Sequence, residues 1–359
     1  MKNIFVKGIM LSLLLLVIVG HAQPVKYSND FMAIGVGSRA FSMGHARVAG
    51  VEDLSAGYYN PAGLANMPMQ NNMQVQLMHN EHFGGIIKYD YAGVSKRIDS
   101  SSVIALNMIR SGTDDIPNTL DLIDANNQID YNRVKSFSVA DYGFLLSYGR
   151  KSKVKNLTYG VSAKVIRRIV GSFANAWGFG LDAGMQYKIK TWYMGLSARD
   201  ITGTFNAWNF TFTEDQKNVL ATTGNVIPQN AIEVTVPRVV FAFGKRFDYK
   251  KFSALTEINL ETTFDGFRNT LIRSGTASID PRMGVEFSYA NMIFLRGGLS
   301  NIQEVRESNS LRRKTIQSSI GIGVRIKMIH LDYALANVGQ QVGLNSNVFT
   351  LRADIDYKK

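Results

Sequence analysis

The stretch from Trp177 to Ile189 reads WGFGLDAGMQYKI, and it decides the fold. Its odd positions carry an unbroken apolar series, whereas its even positions carry glycine, aspartate, glutamine or lysine. Successive side chains of a β-strand point to opposite faces, so this pattern predicts a strand with one oily and one polar face. Strands of soluble sheets average about 5–6 residues, whereas a tilted strand needs about 9–11 residues to cross a bilayer. The length of the alternation therefore favours a membrane-spanning strand.

The same alternation recurs along the chain and predicts fourteen strands. Because lipid cannot satisfy an open strand edge, a spanning sheet has to close. We therefore predict an all-β fold, an antiparallel transmembrane β-barrel over residues 71–359. The predicted strands are 71–80, 84–97, 101–110, 136–149, 156–168, 175–189, 191–200, 237–247, 251–263, 281–290, 292–300, 314–328, 329–338 and 347–357.

The lengths of the connections predict the orientation of the barrel. Turns after even-numbered strands are short, as at Asp99-Ser100, Lys190 and Asn291. Connections after odd-numbered strands tend to be longer, namely 111–135, 201–236, 264–280, 301–313 and 339–346. Outer-membrane barrels combine short periplasmic turns with long outer loops. This pattern predicts that both termini are periplasmic.

The first 22 residues predict a secretory signal peptide. Lys2 and Lys7 precede an apolar run from Ile9 to Val19, and Gly20-His21-Ala22 supplies a small-residue cleavage site. Signal peptides have this order of regions. We expect cleavage before Gln23 and export of residues 23–359 to the outer membrane, in contact with its lipids.

Composition excludes several classes of protein. The chain has 40 Lys and Arg against 28 Asp and Glu, a net charge of +12, but only 19% of its residues are charged. A nucleic-acid binder would cluster more basic residues in a stripe, so we expect no nucleic-acid partner. The absence of cysteine excludes a disulfide framework, a thiolate metal site and a cysteine nucleophile.

The segment 23–70 is predicted to be a plug. Residues 31–69 do not alternate and are rich in glycine and alanine. A lumen enclosed by fourteen strands is too wide for wall side chains to fill. A segment of small residues before the first strand is suited to fill it.

Two runs in this segment carry a family resemblance. GVGSRAFSMG spans Gly35 to Gly44, and DLSAGYYNPAGLA spans Asp53 to Ala65. Together they resemble the start of the PorV/PorQ family, within the wider class of FadL-like fourteen-stranded barrels. The residues of this plug motif are Gly35, Gly37, Arg39, Gly44, Asp53, Asn60, Pro61, Gly63 and Leu64.

This resemblance implies a Bacteroidota outer-membrane protein without enzymatic activity. A PorV-like member is expected to be an accessory subunit of the type IX secretion system, docking on a larger barrel and engaging exported proteins through its outer loops. One alternative is a FadL-like channel that admits hydrophobic small molecules. Another is an accessory subunit of a different outer-membrane complex, such as barrel assembly.

Other candidate sites favour structural interpretations. Gly35-x-Gly37 lacks the third glycine and the βαβ unit of a dinucleotide site, so no cofactor is expected. His79, Glu81 and His82 could ligate a metal, but they fall in a predicted outer turn and are expected to be solvated.

Charged residues that face the lumen are expected to form interstrand ion pairs rather than a catalytic site. Lys164 and Arg168 share the inward parity in the run KVIRR. So do Glu257, Glu261, Glu286, Arg296, Arg325, Asp332, Arg352 and Asp354. Nothing orders a nucleophile beside them, so we expect no catalytic residue and no bound metal.

The long loops carry apolar residues that a solvated loop does not need. They are Ile116, Leu120 and Leu122 in loop 111–135, and Phe205, Trp208, Phe210 and Phe212 in loop 201–236. Apolar surface residues mark interaction sites, so these loops are expected to bind a partner or to cover the mouth as a lid.

Overall fold

The computed structural model describes residues 28–68, 72–122, 128–306, 312–337 and 345–356. The predicted signal peptide 1–22 lies outside these ranges. The strands are β1 Met73–His82, β2 Ile87–Arg97, β3 Ser102–Asn118, β4 Lys135–Lys151, β5 Leu157–Val170, β6 Ala174–Ile189, β7 Trp192–Arg199, β8 Thr204–Phe210, β9 Ala231–Thr235, β10 Arg238–Tyr249, β11 Phe252–Thr263, β12 Ile272–Arg273, β13 Ser278–Tyr289, β14 Ile293–Arg306, β15 Arg312–Ile326, β16 Ile329–Asn337 and β17 Asn345–Ile355. The α-helices are α1 Ser38–Ser42, α2 Ala56–Tyr59 and α3 Glu214–Thr222.

The sheet closes on itself. β1 pairs with β2 on one side and with β17 on the other, so Leu77 lies opposite both Ala92 and Leu351. All the pairings are antiparallel neighbours around one ring. This closure leaves no free wall edge, which confirms the predicted barrel.

The seventeen strand segments make up fourteen wall strands, because some wall strands are interrupted. β7 and β8 both pair antiparallel with β6. β7 pairs with residues 183–189, towards the short turns, and β8 pairs with residues 174–179, towards the long connections. β10 pairs with β7 and β9 pairs with β8, so these four strands form one long, twice-interrupted hairpin. Gly203 and Pro237 lie at the two interruptions, the former with a left-handed φ of 67° and the latter without an N–H. β12 only adds two residues beside β13, so the predicted fourteen wall strands are confirmed.

The two faces of the wall follow the predicted parity. On β6, Trp177, Phe179 and Leu181 point outward and are about half exposed. Asp182 and Gln186 point into the lumen and are buried.

Several strand boundaries differ from the sequence prediction, and two of the differences affect candidate loop residues. β3 extends to Asn118, and Ile116 pairs there with Phe137 rather than lying in a loop. The predicted loop 201–236 contains β8, α3 and β9, so Phe205, Trp208 and Phe210 are strand residues. Alternation gives little signal there because both strands are short and each adjoins a break in its wall strand. α3 begins at a capping box, in which Thr213 and Gln216 bond to each other's backbone N–H.

The described chain starts and ends at opposite ends of the barrel. Asn29 donates to the Thr235 hydroxyl, at the end with the long connections. β17 ends at Ile355, opposite Met73 and at the end with the short turns. The residues before Ser28 lie outside the described ranges, so the predicted position of the mature N-terminus stays a prediction. Within those ranges, no helix is long and apolar enough to span a membrane.

Candidate functional site: the plug segment and the lumen

Residues 28–68, here called the plug segment, lie inside the barrel. Their apolar side chains are at most 1% exposed at Val36, Phe41, Met43, Leu54 and Leu64. They form one buried cluster with inward side chains of the wall. The lumen is therefore a packed core in this structure.

A row of wall glycines receives the plug segment. Gly149, Gly160 and Gly184 lie opposite one another on β4, β5 and β6. A Cβ atom on Gly149 or Gly160 would overlap the backbone of Pro61, and one on Gly184 would overlap the Asn60 side chain. The wall thus lacks side chains where the plug segment touches it.

The Asn60-Pro61 turn fits this row through its own hydrogen bonds. Asn60 Oδ1 accepts from the backbone N–H of Ala62 at 3.2 Å. Its Nδ2 donates to the carbonyls of Val48 and Met185, both at 3.0 Å. Pro61 starts a short 3-10 helix, where a missing N–H costs no hydrogen bond. The turn therefore joins the plug segment to the wall.

The next two residues of the motif complete this contact. A Cβ atom on Gly63 would overlap the Val51 carbonyl. Leu64 is fully buried, and its Cβ lies where a side chain on Gly149 would start. Both residues therefore allow close packing.

A second glycine row receives the α1 end of the plug segment. Gly284 and Gly298 lie opposite each other on β13 and β14. Side chains there would overlap the backbone of Met43 and Gly44. Gly44 has a φ of 59°, a left-handed conformation that glycine adopts without strain. Gly35 and Gly37 also have positive φ angles, of 105° and 81°, which is why the motif needs glycine there.

Arg39 of the motif anchors α1 to the wall. Its guanidinium donates two hydrogen bonds to Glu286, at 2.7 and 2.6 Å. Glu286 also accepts from Arg296 at 2.6 Å, and Arg296 donates to Asp332 at 2.5 Å. The predicted lumen charges thus pair with one another and also with the plug segment.

Asp53 of the motif is the second anchor. Its Oδ2 lies 3.3 Å from Arg47, 3.2 Å from Arg352 and 3.7 Å from Arg39. Burial by itself would raise the pKa of the Asp53 carboxyl, but the three guanidinium groups lower that pKa well below its usual range. One carboxylate thus joins two parts of the plug segment to β17.

Uncharged groups add contacts that sequence reasoning missed. The Ser38 backbone N–H donates to the Thr350 hydroxyl at 2.8 Å, and the two hydroxyl oxygens are 2.7 Å apart. Glu257, predicted to form ion pairs between strands, instead accepts from the backbone N–H groups of Ala49 and Gly50 at 2.7 and 2.9 Å. No local signal identifies such pairs, because the partners are about 200 to 300 positions apart.

The remaining lumen charges hold neighbouring strands together. Lys164 lies 2.8 Å from Asp182 and also donates to Asp200. Arg168 donates to Asp141 at 2.8 Å. Elsewhere in the lumen, Glu261 pairs with Arg238 and Arg282, and Asp354 accepts from Gln74. Arg325, which was expected to pair with a carboxylate of a neighbouring strand, instead donates to the Lys327 carbonyl two residues along its own chain.

The three candidate metal ligands do not converge. His79 and Glu81 point outward, whereas His82 points into the lumen, is 2% exposed and bonds to the Ser346 hydroxyl at 2.8 Å. The expectation of a solvated His82 is therefore wrong, because alternation places it on the inner face. Within the described ranges, no group of three or more His, Asp or Glu residues is arranged to hold a metal ion.

The predicted loop residues form an aromatic stack at the end with the long connections. Trp208 stacks on Phe210 at 5.9 Å, and Phe210 stacks on Phe212 at 6.2 Å. Arg168 lies over the Trp208 ring at 4.9 Å. Phe205 points outward instead and is 39% exposed, whereas Ile116, Leu120 and Leu122 are half-buried.

Two cavities of the lumen adjoin α1 from opposite ends of the barrel. One, of about 300 Å³, lies at the end with the long connections; Ile34, Phe41, His45 and Arg282 are among its lining residues. The other, of about 120 Å³, lies towards the short turns and is lined by Arg39, Asp53 and other charged residues. Phe41 of α1 lines the first cavity, and Arg39 of α1 lines the second.

The fold is that of the FadL-like outer-membrane barrels. The structure matches the Pseudomonas putida toluene transporter TodX with a TM-score of 0.53 and 13% identity, over 89% of this chain and 96% of TodX. It matches the CymD monoaromatic hydrocarbon channel with a TM-score of 0.56 and 11% identity, over 91% of this chain and 99% of CymD. It matches a Pseudomonas aeruginosa FadL homologue with a TM-score of 0.53 and 13% identity, over 90% of this chain and 98% of the homologue. No protein-family model and no curated protein matches the sequence.

Proposed function

We propose that this protein is an outer-membrane channel for small molecules with an apolar body. The observation that carries the proposal is the pair of lumen cavities that adjoin α1, in a barrel with the fold of a toluene transporter and a monoaromatic hydrocarbon channel. The larger cavity combines Ile34 and Phe41 with His45 and Arg282, so it suits a compact molecule with one hydrogen-bonding group. The chain's role is then binding and passage, without chemistry.

An uptake assay tests this proposal. The protein is produced in the outer membrane of a host without such a channel, and uptake of radiolabelled toluene, benzoate and sucrose is measured. We expect faster uptake of toluene or benzoate and unchanged uptake of sucrose. Equal uptake of all three with and without the protein would contradict the proposal.

Location and orientation form part of the proposal. Support comes from the outward apolar face of the wall and from the predicted signal peptide, and the long connections are placed outside the cell. Cell fractionation and N-terminal sequencing test it. A mature chain in the inner membrane, or one that retains residues 1–22, would contradict it.

A second candidate function is that of an accessory subunit for protein export, as the PorV-like resemblance implies, with a larger barrel and exported proteins as partners. One observation favours it. Three different long loops each carry an exposed apolar side chain. Val226 is 91% exposed, Tyr131 is 77% exposed and Phe267 is 72% exposed. Such residues suit contact with a polypeptide.

Substitution of these exposed residues tests the second function. In the organism that carries the gene, V226S/Y131S/F267S should reduce the amount of secreted protein, whereas Y249S/F252S at the opposite end should not. A loss of many outer-membrane barrels instead of secreted proteins would favour a role in barrel assembly. An unchanged secretome and unchanged barrels would exclude both accessory roles.

A further inference from the structure

The outward face of β2 carries charged side chains close together, whereas that of β6 does not. On β2, Lys96 and Asp90 both point outward, and only Val94 and Ala92 lie between them on that face. On β6, the outward face is apolar throughout from Trp177 to Ile189. The apolar band is therefore interrupted at β2.

The interruption lies within the depth of a bilayer. Asp90 and Lys96 are six positions apart. At about 3.3 Å per residue and a strand tilt of about 40°, this distance is roughly 15 Å along the barrel axis. The apolar band of an outer-membrane barrel is about 25 Å tall. Acyl chains of normal length would therefore contact charged groups on this face.

The charged groups form a row across the three strands. His79, Asp90 and Arg110 lie opposite one another in register. Asp90 bonds to His79 at 2.7 Å and to Arg110 at 3.3 Å, and Lys88 and Asp114 pair at 3.1 Å beside them. The side chains of His79 and Asp90 remain 51% and 36% exposed. Their outward surfaces therefore have unused hydrogen-bonding capacity.

An apolar groove adjoins this row. Its lining includes one register row that crosses six neighbouring strands, one step towards the short turns: Met108, Ala92, Leu77, Leu351, Leu331 and Val324. The groove has a volume of about 800 Å³, and His79 and Asp90 lie on its rim.

We propose that this face binds a second, different membrane-embedded protein. The partner places an apolar ridge in the groove and hydrogen-bonds to the row formed by His79, Asp90 and Arg110. Hydrocarbon chains cannot form these bonds, and an arginine facing lipid at mid-depth costs about 2–4 kcal/mol. A protein side chain supplies the missing donors and acceptors.

The shape of the face argues against a second copy of this chain as the occupant. A two-fold contact brings the same patch of both copies together. Two concave grooves cannot fill each other, so the partner has to present a convex surface of its own. Docking at this face does not depend on what passes through the lumen, and an accessory subunit would need such a face.

Site-specific photo-crosslinking tests the proposal. A benzophenone amino acid replaces Leu77 in the groove or, as the matched control, Leu181 on β6; both side chains are about half exposed. The variants are irradiated in cells of the organism that carries the gene. We expect one discrete adduct from position 77, with an added mass that is not a multiple of this chain, and none from position 181.

A groove-filling variant makes the result specific. Ala92→Trp should reduce the adduct from position 77 at least tenfold, whereas Ala183→Trp on β6 should leave it unchanged. A heat-modifiable gel band checks that each variant folds. An adduct of twice the chain mass, lipid adducts alone, or an adduct unaffected by Ala92→Trp would each overturn the proposal. Toluene uptake by the same variants is measured separately, so a failure of the channel proposal can be distinguished from a failure of the docking proposal.

Discussion

The side-chain oxygen of Asn60 occupies the space in which a Cβ atom on Gly184 would lie. The two residues are more than 120 positions apart, and the Asn60 amide also donates to the carbonyl of Met185, next to Gly184. The wall and the plug segment are thus fitted to each other at the level of single atoms. The glycines of the wall are contact residues for the plug segment.

Substitution of Gly184 tests this fit. We expect Gly184→Ala to lower the free energy of unfolding by about 1–3 kcal/mol, the usual cost of overpacking a buried contact. The outward Gly297 is the control, because the nearest heavy atom to an added Cβ lies 4.0 Å away. Gly297→Ala should not lower the free energy of unfolding. Urea unfolding in detergent measures both variants, and equal effects would contradict the assigned contact.

Tethering α1 to the wall tests whether passage requires its movement. The hydroxyls of Ser38 and Thr350 are 2.7 Å apart, and the chain contains no cysteine, so S38C/T350C can form a single new disulfide. Oxidation should abolish uptake of the transported small molecule, and reduction should restore it.

A matched disulfide within the wall controls for this tether. Val161 and Ala183 are Cα partners on the outward faces of β5 and β6. V161C/A183C should form a disulfide without affecting uptake, because it lies outside the lumen and does not restrain the plug segment. If oxidised S38C/T350C transports as fast as the reduced form, α1 does not gate the lumen.

Removal of the Asp53 charge tests the ionic anchor. Asp53→Asn leaves three guanidinium groups without their shared carboxylate and should destabilise the protein by about 3 kcal/mol. Asp248→Asn, which breaks an exposed pair with Arg246, should change stability by less than about 1 kcal/mol. Chemical unfolding at neutral pH measures the difference.

The same anchor predicts a pH dependence. The pKa of Asp53 is lower in the folded than in the unfolded chain, so its stabilising contribution is present above the unfolded pKa of about 3.9 and is lost as the pH falls further. The stability difference between the wild type and Asp53→Asn should therefore narrow in acid. A difference that grows below pH 4 would contradict the assignment.

An outward arginine tests which surface faces lipid. Leu181→Arg on β6 should make folding into phospholipid bilayers less favourable by about 2–4 kcal/mol. Thr222→Arg on α3, outside the wall, should have little effect. Folding titrations in vesicles provide the measurement, and equal folding of both variants would show that β6 does not cross the bilayer.

Much of the wall could be predicted from the sequence, because side-chain alternation is a local property of each strand. The parity of Trp177 and Asp182 depends only on their own neighbours, and closure follows from the cost of a free edge in lipid. The predicted loop 201–236 was the exception, since the two short strands there continue interrupted wall strands and carry little periodic signal.

The lumen could be predicted only in part. Inward parity identified Glu286, Arg296 and Arg352 as lumen residues, but it did not indicate that Arg39 and Asp53 of the plug segment bind to them. The environment of His82 was predicted wrongly, because the first strand was expected to end before that residue and the alternation was not extended to it.

The sequence by itself thus determined the barrel, its strand number and the face to which most wall residues point, since these follow from period-two patterning and from the need to satisfy the backbone in lipid. Only the tertiary structure decided which wall groups meet the plug segment, where the cavities remain and how the charged row at Asp90 adjoins an apolar groove. Those contacts join positions up to about 300 residues apart, and their geometry depends on the register and closure of the whole sheet.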